Sequence, residues 1–137
     1  MDDGKTWADP KPSALVHPDA PPMVFPLSGD KTLITFHHNR HINTQYVGLT
    51  GKMDGMRDRA EIWISLSKDG GRNWSEPQFL FTNVTRSNPA KNGWFNHNSS
   101  YMDAVIDGGT IHLFLPHLWN RALYMHLEEK DLAKLPT

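Results

Sequence analysis

The residues best suited to chemistry fall in a few short clusters. His37-His38-Asn39-Arg40-His41 is the densest. Asn96-His97-Asn98 stands just before Tyr101, Arg86 lies further upstream, and Asn120-Arg121 follows Pro116-His117. Arginine grips a carboxylate through two parallel hydrogen bonds. Histidine exchanges protons near neutrality, and a phenol both donates and accepts hydrogen bonds. His38, Arg40, His97, Tyr101 and Arg121 therefore read as a site for an anionic ligand, provided their loops meet. Two plainer readings stand beside it: a solvated polar loop at His37–His41, and a strand-start packing aromatic at Tyr101. His37 and His41 would share a face only on a helix, and this segment reads as loop, so no metal site is assigned.

The elements that must position these residues are strands. Pro22–Leu27 reads as a short strand that proline confines to an edge or a start. Ser28-Gly29-Asp30 is a turn signal, and Lys31–Phe36 follows as the partner strand of a hairpin. The polar stretch His37–Arg59 is expected to be irregular loop, with a small strand at Tyr46–Leu49. Loops of such length usually serve a function or lack order. Glu61–Leu66 alternates cleanly between apolar and polar residues. Asp69-Gly70-Gly71 turns the chain into Gln78–Phe81. The pattern returns with Tyr101–Ile106, the turn Asp107-Gly108-Gly109, Thr110–Leu115 and Arg121–Leu127. Only Glu128–Leu135 suggests a helical turn, stopped by Pro136. The expected class is all-β, built from antiparallel hairpins.

Composition narrows the function classes. The chain has 137 residues, of which 38% are hydrophobic and 21% charged, as in ordinary globular domains. A net charge of -1 gives no basic footprint for nucleic acid. No apolar run approaches the roughly 18 residues of a membrane-spanning helix, and no signal-peptide pattern is read at the start. With no cysteine, disulfides, thiolate metal sites and cysteine nucleophiles are excluded. No cofactor is assigned. Asn73, Asn83 and Asn98 open glycosylation sequons, which matter only in a secretory setting.

One motif occurs twice. Asp2-Asp3-Gly4-Lys5-Thr6-Trp7 matches Asp69-Gly70-Gly71-Arg72-Asn73-Trp74, and Pro10 and Pro77 follow in the same register. The second copy also has Ser67, giving the full S-x-D-x-G-x-x-W. The Ser and Asp side chains can bond turn N–H groups. Glycine supplies the left-handed backbone. The Trp is expected to fold back as an apolar plug between strands. The structural box is thus Ser67, Asp69, Gly71 and Trp74, with Asp2, Gly4 and Trp7 as its repeat.

These residues resemble the Asp box, or bacterial neuraminidase repeat, of sialidase-like β-propellers. His17–Pro22 leading into Leu27–Leu33 is similar to a blade opening of that family. Ser100–Ala104 followed by Asp107–Leu113 is similar to its late Y-S-D-L blade. The resemblance implies a partial propeller of four-stranded antiparallel blades, six in the complete fold. Residues 1–16 would end one blade, 21–82 form a full blade with the box between its third and fourth strands, and 99–127 give three strands of the next. About two blades cannot close a ring, which takes roughly four to eight. The chain is therefore expected to be part of a longer protein or to complete its ring by oligomerisation.

The resemblance also implies a function: an exo-glycosidase that removes terminal sialic acid, or a similar anionic sugar, from a glycan substrate. Secretion or a periplasmic location would accompany it. The family's nucleophile is a tyrosine, one of the exceptions to two-carboxylate glycosidases. Tyr101 occupies that position in Tyr101-Met102-Asp103-Ala104, with Met where the family has Ser. Arg86 is a candidate for the family's arginine triad, and Arg40, His38, His97 and Arg121 for substrate binding. The family's R-I-P motif and early acid/base Asp are absent from this chain, and no Glu is a clear partner for Tyr101; Glu61 reads as a strand surface residue. Trp94 and Trp119 are loop aromatics that suit either sugar stacking or packing. The alternatives are a propeller lyase acting on uronates, which the histidines would suit, and a non-catalytic propeller that binds carbohydrate or protein.

Overall fold

The computed structural model describes residues 4–11, 13, 15, 22–29, 31–38, 61–82, 101–117 and 121–137, without the side chains of 117 and 121. Seven strands make two antiparallel sheets. The first has the order β1 (Met23–Pro26), β2 (Leu33–His38), β3 (Glu61–Ser67) and β4 (Gln78–Thr82). The second has the order β5 (Asp103–Asp107), β6 (Thr110–His117) and β7 (Arg121–Glu128), followed by a 3-10 helix at Glu129–Lys134. Each sheet is a meander in which sequence neighbours pair, and the all-β expectation holds.

Period-two patterning decides which side chains face inward. Ile34 and Phe36 of β2 pair with Leu66 and Ile64 of β3, and Ile34, Phe36, Ile62 and Ile64 are fully buried. They join Met102, Ala104, Ile111, Leu113, Leu115 and Leu132 in one apolar cluster that spans both sheets. Burying each Ile or Leu contributes about 1.5–3 kcal/mol. Phe25 meets Phe36 edge-on at 6.3 Å, closing this face along β1. The register slips between Ile62 and Trp63, so Ile62 opposes Phe81 while Trp63 opposes Phe79, and Leu80 is the extra residue of a bulge.

The other face of the first sheet is buried and polar. Thr35, His37, Ser65 and Ser67 are all buried there. His37 Nε2 and Ser65 Oγ share a hydrogen bond of 3.1 Å. The second sheet differs: Val105, Phe114 and Tyr124 lie exposed on its outer face.

Three expectations change. The first two residues of the stretch expected to be loop are strand instead, because His37 and His38 continue β2 opposite Trp63 and Ile62. The strand expected from Tyr101 begins at Asp103, because Tyr101 has a left-handed φ of 64° that a strand does not admit. Trp7 is no interstrand plug. It is 88% exposed, and its indole Nε1 donates to Gly4 O at 2.9 Å within its own turn. Residues 4–11, 13 and 15 contain no strand. The strand expected at Tyr46–Leu49, with Asp2, Trp94 and Trp119, lies outside the described residues.

Candidate functional site

The connection between β3 and β4 is a hydrogen-bonded knot. Ser67 Oγ donates to Asp69 Oδ1 at 2.9 Å and accepts from Gly71 N–H at 2.8 Å. Asp69 Oδ1 also accepts the backbone N–H groups of Arg72 and Asn73, at 3.0 and 2.9 Å. Asp69 Oδ2 accepts the Asn73 side-chain amide at 2.6 Å. Donors on a carboxylate favour its ionised form. The Asn73 backbone and side-chain bonds lead, with Ser67 and Arg72 adding, and Asp69 is held at about 2. Gly71 adopts φ 87°, and the Trp74 ring lies 3.6 Å from where its Cβ would stand. Gly4 repeats this arrangement, at φ 78° with Trp7 at 3.8 Å.

This knot marks one end of the strands. At the same end, Ser28 N–H donates to Glu129 Oε1 at 2.7 Å, and Glu129 N–H donates to Gly109 O at 2.9 Å. The β1–β2 turn, the β3–β4 knot, the β5–β6 turn and the 3-10 helix therefore gather together. A cavity of about 330 Å³ lies among them, lined by Leu27, Thr32, Leu66, Lys68, Leu132 and neighbours. Among the described residues, neither His38 nor Tyr101 lines it.

Of the candidates, His38 ends β2, Tyr101 stands two residues before β5 and Arg121 opens β7 opposite His117, all at the strand ends away from the knot. Tyr101 is 58% exposed. Its neighbour Met102 is buried in the core, and Asp103 Oδ1 accepts Ala104 N–H at 2.8 Å. A buried anchor thus sits beside an exposed phenol on a left-handed backbone. His38 is fully buried at the end of β2, with Nδ1 bonded to Glu61 O at 3.2 Å. It fastens the end of β2 to β3. Glu61 Oε2 accepts Trp63 Nε1–H at 3.0 Å, which occupies that carboxylate structurally. Arg40, Arg86 and His97 lie outside the described residues, as does the Arg121 side chain.

Sequence reasoning passed over the outer face of the second sheet. His112 and His126 are directly opposed there, and Tyr124 stacks on His112. The signal was present, since Tyr124 and His126 alternate with the inward Leu123, Met125 and Leu127.

No family model matches the chain, and no curated protein or solved structure matches it.

Proposed function

We propose that the two meanders are neighbouring blades of a sialidase-like β-propeller, and that the protein is an exo-glycosidase acting on terminal sialic acid or a similar anionic sugar. The observation that supports this most is the Ser67-Asp69-Gly71-Asn73 knot on the β3–β4 connection of a four-stranded meander, where the Asp box of the resembled family belongs. The proposal needs further blades, from a longer chain or from other copies, because two sheets do not close a ring. Those blades would supply the acid/base Asp.

The working end is the one opposite the knot. Arg40, Arg86 and Arg121 bind the sugar carboxylate there, and His97 contributes polar contacts. Tyr101 Oη attacks the anomeric carbon as the bond to the leaving glycan oxygen breaks. That oxygen takes its proton from the acid, and the phenol gives its own to a base that a further blade would also supply. Water, deprotonated by the same Asp, then breaks the tyrosyl–sugar bond to release the sugar and return the phenol. A neutral phenol avoids the repulsion that a carboxylate nucleophile would meet from the substrate's own carboxylate. His38 acts through position only, by fixing the end of β2.

The test is release of 4-methylumbelliferone from its α-sialoside by the protein and by Tyr101→Phe. Hydrolysis that disappears in Tyr101→Phe supports the reading. Hydrolysis that survives removes Tyr101 as nucleophile. Production of unsaturated uronates from uronate polymers, without sialoside cleavage, would replace the hydrolase reading with a lyase.

A further inference from the structure

We propose that the outer face of the second sheet carries a two-histidine site for a divalent transition-metal ion, formed by His112 of β6 and His126 of β7. This rests on observations separate from the glycosidase reading. Ile111, Leu113 and Leu115 of β6 point into the core, so the alternate residues Thr110, His112 and Phe114 point outward. His112 pairs directly with His126. Opposed residues on antiparallel strands hold their Cβ atoms about 4.5–5.5 Å apart. From that separation two imidazoles can converge on one ion with each metal–nitrogen bond near 2.0–2.1 Å.

The shell around the pair suits a ligand role. His112 Nδ1 and Tyr124 Oη share a hydrogen bond of 2.8 Å, and the two rings stack at 6.0 Å with 14° between their planes. In the tautomer where Nδ1–H donates to Oη, Nε2 holds its lone pair outward. A ligating histidine commonly has its other nitrogen fixed in this way, and the bond sets ring orientation. Tyr124 also contacts His126, with ring centroids 6.2 Å apart. His126 is exposed and His112 partly so, leaving both edges open to an ion.

Charge on the same face favours a cation. Glu128 lies two residues beyond His126, where its Oε1 accepts the Thr110 hydroxyl at 3.1 Å. Asp107 opposes Thr110 on the neighbouring strand, and Asp103 opposes Phe114. No group of three or more metal-ligating side chains gathers among the described residues. The ion is therefore held by two imidazole nitrogens with water completing its shell. Such a donor set binds Cu²⁺ more tightly than Ni²⁺ or Zn²⁺.

The probes are CuCl₂ and NiCl₂, titrated into the full chain with calorimetry and ¹H–¹⁵N NMR of the histidine rings. One Cu²⁺ per chain is expected, with paramagnetic broadening at the His112 and His126 rings before the other six histidines. His112→Ala and His126→Ala should each weaken binding at least about tenfold. A variant with His17, His41, His97 and His117 all changed to Asn should keep the wild-type affinity. Tyr124→Phe should weaken binding several-fold, and an unchanged affinity would overturn its positioning role. Broadening that begins elsewhere, or binding untouched by the two alanine variants, would overturn the site. The ring spectra of the unmodified chain decide the matter even where a variant fails to fold.

Discussion

Asp69 holds Asn73 twice, through the backbone N–H at 2.9 Å and through the side-chain amide at 2.6 Å. One carboxylate thereby closes a turn that Ser67 closes from the other side. Most of these bonds need its charge, and this gives the knot a pH signature.

The Asp69 pKa falls from 3.8 to about 2 on folding. A depressed acid contributes its stability in full above the unfolded value and loses it as pH falls through the folded one. The protein should therefore lose resistance to urea between those two values. Asp69→Asn should flatten that acid limb. Urea midpoints recorded against pH would check this, and an unchanged slope would remove Asp69 as its source.

Gly71 and Gly4 make a matched pair. Both adopt a left-handed φ beside a Trp ring, but among the described residues only the Gly71 copy joins two strands. Gly71→Ala should cost about 1–2 kcal/mol, from the conformation itself, because 3.6 Å to Trp74 is ordinary contact. Gly4→Ala carries the same conformational strain, but it falls on a turn outside the two sheets, so it should lower global stability by less than Gly71→Ala does. Equal losses in urea unfolding would contradict the difference drawn between the two copies.

Among the described residues, Thr35 Oγ1 is buried without a hydrogen-bond partner. Thr35→Val keeps the shape and removes a polar group that has given up water for nothing. It should be neutral or stabilising by up to about 1 kcal/mol. Ser65→Ala, in contrast, removes the hydroxyl bonded to buried His37 and should cost about 1–3 kcal/mol. Thermal melts of the two variants should move apart, and a shift in the same direction would refute this.

Tyr101→Phe should leave stability within about 0.5 kcal/mol, since the residue is mostly exposed. The same change should remove sialoside hydrolysis. Parallel loss of folding and activity would make Tyr101 a structural aromatic.

Much of the fold was legible, for physical reasons visible in single segments. Glu61–Leu66 and Thr110–Leu115 alternate strictly, and strands with one apolar face need such alternation. The Ser67–Trp74 knot was legible because its bonds are local, each partner lying within a few residues. The end of β2 was not. Two histidines read as polar loop, yet His37 meets Ser65 across the sheet and His38 meets a backbone carbonyl from β3. Those partners are distant in sequence, so residue type alone misleads. Trp7 differs the other way: its indole N–H is bonded within its own turn while the ring stays exposed. Of the candidate site, Tyr101 and His38 can be placed as side chains. Exposure of the first and burial of the second were invisible to patterning, because both depend on where a strand starts or stops.

The outer edge of β4 has a consequence for the order in which the chain can fold. Gln78 donates its side-chain amide to the carbonyls of Leu132 and Leu135, 54 and 57 positions later, and Phe79 N–H donates to Pro136 O. A ribosome releases β4 long before it releases those acceptors. The first sheet must wait with an open edge, the kind of edge that invites pairing with another chain. The tail that follows β7 is then the clasp that ends this exposure. Truncation before Leu132 should leave a folded-looking meander whose fault is stickiness between nascent chains.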